Sequence, residues 1–502
     1  MDARVKPVRI VDTDVLVVGG GGSGLAAAIE AAGAGRRVVL IEKNPRTGGS
    51  TGWSVGSITA TRTPDQFRRG IEDDPQHHFE DMAKLAGPLA PRDNLALRRT
   101  LVQNVTETVA WLRGHGIEFF GPGPEPPHRL PRMHNVLPTS GSYVYHLTRA
   151  ARRAGVDIHV STRAERIVLE RDSDTVRGID ARDAEDQPVH YRARCGVVLA
   201  GGDYSGSVEF KARFGSDALA RVPAVNETNT GDCQRMVLDI GGDILNGDLI
   251  LGPVMRFAAP RHKSLAQRMP PWAPLTRIMA WMLHHLPSAA VRPLVMRFMT
   301  TVLGPEAHLF ADGVLLVDRN GQRIAPVEGS LGKAVAAAPA RSAWLVFDAR
   351  LAQRYSAPPH AVSTAPGIAW AYFGDYVRTR PDLHSKAPDA KTLAKQLGMP
   401  PDALAATATE GGLVQGPFHA LGPIHAFVVL TDGGVRVTPD LQVVVRGAAP
   451  VRGLYAAGST GQGGLLLEGH GHHLGWAFTS GRIAGRNAAN ATTSIPSNTT
   501  SP

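Results

Sequence analysis

Three histidines within four residues, His470, His472 and His473, lie in a glycine-flanked loop just ahead of a helical stretch ending near Ala489. A neutral imidazole titrates close to working pH, so these side chains suit proton transfer. Metal binding is the other chemistry they suggest. Adjacent histidines in a glycine loop point apart, however, and no carboxylate stands at ligand spacing, so no metal is expected. Near the other end, Gly19-Gly20-Gly21-Gly22-Ser23-Gly24 has the composition of a phosphate cradle. The two cysteines, Cys195 and Cys233, form no disulfide framework, metal site or redox pair by spacing, and there is no C-x-x-C-H haem signature or iron–sulfur run. Any electrons this chain moves would therefore come from an external donor or leave to an external acceptor.

The elements around the glycine loop give it meaning. An apolar, β-branched run over residues 13–18 precedes it and an alanine-rich stretch over 25–34 follows, which predicts strand, tight turn and helix. The spacing Gly19, Gly21, Gly24 fits G-x-G-x-x-G. The first glycine makes the turn, the second admits a pyrophosphate to the backbone, and the third lets helix and strand pack closely. The helix N-terminus then offers free N–H groups and a positive dipole end, with Gly22 and Ser23 beside it. A second apolar strand, 37–41, ends in Glu42, eighteen residues beyond Gly24 and placed to accept from ribose hydroxyls. Lys43 follows, and then a second small-residue loop, Gly48-Gly49-Ser50-Thr51-Gly52, where a nicotinamide domain would ordinarily enter its next helix.

The run 17–42 followed by this second loop resembles the FAD-binding half of the fumarate reductase and 3-ketosteroid dehydrogenase superfamily of flavoproteins. The resemblance continues in Gly196-Val197-Val198-Leu199-Ala200-Gly201-Gly202, in Thr230-Gly231-Asp232, and in the turn segment 313–323. It extends through Trp344-Leu345-Val346-Phe347-Asp348, Thr431-Asp432-Gly433-Gly434 and Gly453-Leu454-Tyr455-Ala456-Ala457-Gly458. It implies an α/β fold: a Rossmann-like FAD-binding domain with an inserted small β-sheet and a separate α+β capping domain that binds substrate. It also implies FAD along the second loop, held non-covalently because that loop carries no histidine. Gly201, Gly458, Gly471 and Leu474 join the cofactor residues, with the N-terminus of the last helix directed at the flavin pyrimidine.

Length and charge bound the rest. A chain of 502 residues exceeds one ordinary core. We divide it into 1–206 and 426–490 for the FAD domain, 207–425 for the cap, and a disordered Ser/Thr/Asn/Pro tail at 491–502. The net charge of +9 is spread as scattered arginines without aromatic interleaving, which argues against nucleic acid. The first residues lack an apolar signal core and no apolar run spans a bilayer, so the chain reads as cytoplasmic. One stretch departs from this average. Between Asp248 and Glu306 there is no acidic residue, while arginines, methionines and tryptophans recur. Residues 256–303 read as a packed helical insert, a peripheral membrane contact or a lid over a lipophilic substrate. Residues 65–113 read as helical, 121–131 as a proline-rich loop, and three short segments between 165 and 192 as the inserted sheet.

The resemblance also exposes departures. Anchored on the last helix, the arginine that clamps a dicarboxylate in fumarate reductases falls on Glu468, and the proton-donating arginine segment reads 328–333 without an arginine. A glutamate there repels a carboxylate by an energy on the order of kcal/mol in a partly buried site. The catalytic tyrosines of ketosteroid dehydrogenases fall near Gly332 and Leu467, and Leu465-Leu466-Leu467 reads as an apolar wall. The replacements on hand are His470, His472 and His473, then His134, Tyr143 and Tyr145. The expected function is FAD-dependent formation of a C=C bond next to a carbonyl in a small lipophilic, steroid-like ketone. The alternatives are an enone or enoate reductase and a catalytically silent, flavin-bound membrane-associated protein.

Overall fold

The computed structural model describes residues 8–491, apart from 172, 261–268, 288–291, 293–295, 297–298, 301–302, 366–368 and 446–448. The tail expected at 492–502 and parts of 256–303 lie outside the described residues.

The chain opens with β1 (Arg9–Val18), α1 (Gly22–Gly33) and β2 (Val38–Ile41). Val15, Leu16 and Val17 on β1 and Leu40 on β2 are fully buried, which a parallel strand requires when both faces of its sheet are covered. The chain then leaves the sheet. It forms β3 (Ser57–Thr59), α2 (Pro75–Ala86), α3 (Leu95–Gly114), β4 (Glu118–Gly123), β5 (Met133–Leu137) and α4 (Gly141–Arg153). Asp74 and Asn94 cap α2 and α3 by accepting from His77 and Leu97 N–H. The helical reading of 65–113 is thus realised as separate capped helices, and β4 enters the first three residues of the proline-rich loop.

The chain rejoins the sheet through β6 (Asp157–His159), β7 (Arg163–Leu169), β8 (Val176–Arg182) and β9 (Pro188–Leu199). The inserted strands are present, but they are not detached from the parallel layer. β9 is one continuous strand whose first half pairs antiparallel with β8 and whose whole length pairs parallel with β1.

The capping body contributes β10 (Val254–Phe257), α5 (Ala273–His285), β11 (Leu315–Val317), β12 (Ser342–Phe347), β13 (His384–Ala387) and β14 (Phe418–Phe427). Its sheet runs β10-β14-β12-β11, with β13 also on β14. The turn segment 313–323 is realised as β11 followed by a turn in which Asp318 Oδ1 accepts from Asn320 and Gln322 N–H. The cap has its own apolar core, drawn from Phe257 to Ala426. Cys233, Met236 and Val237 pack instead in the first core, so the cofactor body extends beyond residue 206. Finally β15 (Gln442–Val445), β16 (Ala449–Ala456) and α6 (His472–Asn490) close the first body, giving the order β15-β16-β9-β1-β2-β6. Among the described residues no helix is long and apolar enough to cross a membrane.

Candidate active site and cofactor cleft

A cleft opens where β1, β2, β9 and β16 end together. Gly19, Gly21, Gly22, Ser23, Glu42, Lys43, Gly49, Ser50, Thr51, Gly201 and Gly458 line it, so eleven of the expected cofactor residues meet there. Gly24, Gly48, Gly52, Gly471 and Leu474 do not. Their places are structural: a Cβ on Gly24 would sit 1.8 Å from the Gly19 carbonyl oxygen, and Gly48 N–H donates to Gly20 O. The sequence missed Asn44, Asp203, Asn229, Asp232 and Ala477, all on the cleft wall. Asp232 stands in the Thr230-Gly231-Asp232 motif without being read as a cofactor residue, and the others come from segments far apart in the chain.

The residues fit a dinucleotide. A Cβ on Gly21 would meet nothing within 4 Å, so the loop backbone faces open cleft as a pyrophosphate requires. Glu42 is buried at the tip of β2, with Oε2 accepting from Gly20 N–H at 2.6 Å and Oε1 from Asn44 N–H at 2.8 Å. A carboxylate offers about four acceptor directions, which leaves capacity for a ribose hydroxyl. Lys43 Nζ reaches across to Thr230 Oγ1 at 2.6 Å and Asp232 Oδ2 at 2.9 Å, tying this wall to the opposite one. Glu42→Ala is expected to lower FAD affinity about tenfold, the loss of one or two charge-assisted hydrogen bonds, read as the FAD dissociation constant by fluorescence titration.

The last helix, α6, reaches the cleft only through Ala477, and its start lies outside the cleft lining. Gly471 (φ +91°) precedes the helix without a side-chain cap, so the first N–H groups stay available to an anion. Ala477, one turn beyond His473, lines the cleft. The three loop histidines have different surroundings. His470, partly exposed, bonds Glu125 Oε1 through Nδ1 at 2.6 Å and its own N–H at 2.7 Å, pinning the proline-rich loop to the helix start. His472 is fully buried. Its Nδ1 donates to Glu468 O at 2.6 Å, and burial first, then the repulsion a second charged ring would meet beside His128, drives its pKa down to about 3. His473 Nε2 donates to Asp432 Oδ1 at 3.0 Å. Although burial opposes it, that hydrogen bond together with the charges of Asp432, Glu468 and Asp203 raises its pKa. Burial and Asp432 in turn push the Glu468 carboxyl up.

His134 and Tyr143 are corrected by their packing. His134 is sealed, with Nε2 on Thr63 Oγ1 at 2.9 Å and Nδ1 on Arg132 O at 2.7 Å, which leaves no ring nitrogen for a substrate. Tyr143 is equally buried and donates to Gly56 O at 2.8 Å. Tyr145 is exposed on α4. Leu465, Leu466 and Leu467 are core residues and form no open wall.

The sequence also hid a cluster: His78, His128 and His472 bring ring nitrogens within 4.8 Å of one another. Proton bookkeeping favours an imidazole network over a metal. His472 donates through Nδ1, so its Nε2 accepts from His78 Nε2 at 3.0 Å. His128 Nδ1 accepts from Arg132 at 2.9 Å, which places its proton on Nε2 and removes that lone pair. Burial holds these three rings neutral, and it also lowers the buried His134, to about 4. A ring whose folded pKa lies below its unfolded 6.5 stabilises the fold fully above pH 6.5, and that contribution is lost as pH falls toward the folded value. His134 alone is then worth on the order of 3 kcal/mol at neutral pH. The urea midpoint is expected to fall steadily from pH 6.5 to pH 4, and the fall should lessen in His134→Gln.

A glycine cradle at a helix N-terminus with a buried acid at the neighbouring strand end defines a dinucleotide-binding body, beside a second body with its own core. The family model described as FAD binding domain matches residues 14–265 and 285–466, and the chain belongs to that family of FAD-dependent oxidoreductases. NADH:fumarate oxidoreductase of Klebsiella pneumoniae is 24% identical over 471 residues, covering 89% of this chain, and the chain spans 44% of that protein's length. The open conformation of a flavocytochrome c3 fumarate reductase shares the fold at TM-score 0.72 and 24% identity, over 95% of this chain and 78% of that one. A 3-ketosteroid-Δ4-(5α)-dehydrogenase from Rhodococcus jostii does so at TM-score 0.59 and 22% identity, over 97% and 99%.

Proposed function

We propose that this chain catalyses α,β-dehydrogenation of a neutral, lipophilic ketone of steroid-like bulk, forming a C=C bond beside the carbonyl. The observation that supports this reading best is the ring of acids round His473. Asp432 is bonded to it, Asp203 and Glu468 are within electrostatic reach, and glutamate stands where a dicarboxylate would need arginine. Such a wall repels a carboxylate substrate and tolerates a neutral one.

FAD, when bound, supplies the hydride acceptor. The chain supplies the rest. His473 uses Nε2–H to hold Asp432, so Nδ1 is the atom left to take a proton from the carbon next to the carbonyl. Asp432 stabilises the imidazolium that results, and Gln462 Nε2, 2.7 Å from the same oxygen, fixes that carboxylate. The uncapped start of α6 favours negative charge gathering beside it.

The reductase direction has specific support in the fumarate relatives, and it would run the same proton in reverse from His473 Nδ1. Anaerobic bleaching of the purified yellow protein separates the two. Bleaching by a 3-ketosteroid or cyclohexanone-like ketone supports dehydrogenation. Bleaching only by NADH or NADPH, followed by reoxidation with an enone, supports reduction. Bleaching by succinate overturns the argument from Glu468. A lipophilic substrate also fits work at a bilayer surface.

A further inference from the structure

Away from the cleft, α4, the start of α5, the end of α1 and the turn after α3 line a surface groove of about 650 Å³. Arg149 and Arg153 stand one turn apart on α4, with His146 a turn before them on the same helix and His115 in the turn after α3, and among the described residues no carboxylate lines the groove. Tyr145 and Trp272 form its rim. His146 Nε2 donates to Pro271 O at 2.7 Å, which fastens the start of α5 beside the cationic residues.

The outward face of α5 continues this rim. Ile278 and Trp281 are 57% and 56% exposed, Trp272 is 59% exposed, and Arg277 lies among them. On the opposite face Thr276 is buried and His284 packs against the Phe120 ring at 5.2 Å. Three large apolar side chains held in water beside a cationic groove leave a single chemistry satisfied: an acyl layer for the rings and a phosphate for the arginines. Tryptophans and arginines on one helix face are what the interface of an anionic bilayer accepts. The absence of any acid from residue 249 to 305 removes the repulsion such a surface would otherwise meet.

We propose that the groove between α4 and α5 binds the headgroup phosphate of an anionic phospholipid while Trp281, Ile278 and Trp272 enter the acyl boundary. This rests on the reading of 256–303 as a peripheral contact and is independent of the ketone assignment. The exposed side chains make the variants safe for folding, and their flavin absorbance should match the parent.

The test is co-sedimentation of the full FAD-loaded chain with vesicles of phosphatidylcholine alone and of phosphatidylcholine with phosphatidylglycerol. Expected are binding at least about tenfold tighter to the mixed vesicles, a blue shift of tryptophan emission, and weakening by added salt. Arg149→Glu with Arg153→Glu should abolish the preference for anionic vesicles. Trp281→Ser with Ile278→Ser should abolish binding to both. Binding that needs Trp281 but ignores the two arginines would overturn the headgroup site and leave the peripheral contact standing. Absence of all vesicle binding would overturn both. Complete displacement by millimolar inorganic phosphate would show a site for a soluble anion instead, and a dimer broken by Trp281→Ser would show a second copy as the occupant; either result overturns the proposal.

Discussion

His473→Ala is expected to lower kcat about 10²–10⁴-fold on the ketone that bleaches the flavin, with KM changed little, the range a positioned general base contributes. The variant should still purify yellow, because the cleft walls that hold the cofactor do not use this side chain. Asp432→Asn is the finer probe. Asp432 helps hold His473 above its ordinary pKa, so losing that charge lowers it. Dehydrogenation needs the neutral ring, and activity should rise with pH through the His473 pKa. In Asp432→Asn the rising limb should move to lower pH, while the plateau falls because nothing then steadies the imidazolium. A limb that stays in place while kcat drops would make Asp432 a mere packing residue and remove His473 from the base role. Stability should move oppositely along the pH axis. A raised histidine stabilises the fold fully below pH 6.5 and stops doing so as pH climbs through its folded pKa, and Asp432→Asn should erase that component.

Gly481→Val is expected to be the most damaging change away from the reacting atoms. Helices α1 and α6 meet backbone to backbone: a Cβ on Gly481 would lie 2.3 Å from Ser23 O, and one on Gly485 2.2 Å from Ala27 O. Neither neighbour is a flexible side chain, so the helices must separate. The cost is several kcal/mol, beyond the usual overpacking range. Ser23 lines the cleft, and the FAD content, read as the ratio of flavin to protein absorbance, should collapse together with the melting temperature. Gly33→Ala on the same helix α1 is the control. Its Cβ would meet nothing within 4 Å, and the variant should hold its flavin and melt at or slightly above the parent temperature. If Gly481→Val melted with Gly33→Ala, the close approach of the two helices would not be holding the cleft.

The parts of this molecule that could be read from sequence are those encoded locally. The glycine spacing, the β-branched runs and Glu42 at a strand end are all local signals, and the helical reading of 65–113 returned in its second half as α3. The helix after His473 was equally plain. What failed was long-range. Nothing in residues 165–192 says that the strand after them continues unbroken into the parallel layer, since Val189–Arg192 and Gly196–Leu199 read as two runs and are one strand. His78 and His128 carry no motif, and they matter only because folding carries them to His472 at the other end of the chain. The same blindness put His134 and Tyr143 among the candidates. Residue type marked them as reactive, whereas their neighbours, Thr63 and Gly56, show them to be fully occupied. Among three adjacent histidines only the partner separates the roles: Glu125 for His470, a backbone carbonyl for His472, Asp432 for His473.

Strand β16 pairs with β9, Leu454 beside Val197, from the far side of the entire capping body. During synthesis the first half of the cofactor layer therefore leaves the ribosome with an unpaired edge at β9. It keeps that edge through the whole translation of the cap, because its neighbour follows the cap in the chain. Pairing of such distant segments is slow and exposes edges that other chains can join. Assembly then runs from the outside inward: the cap, whose core draws on one continuous stretch, can condense first, and the cofactor body is finished by α6. The cleft is built last, so FAD can act on the ripening chain as a late template, and growth in flavin-poor cells should raise the aggregated fraction of newly made protein before it alters the protein already folded.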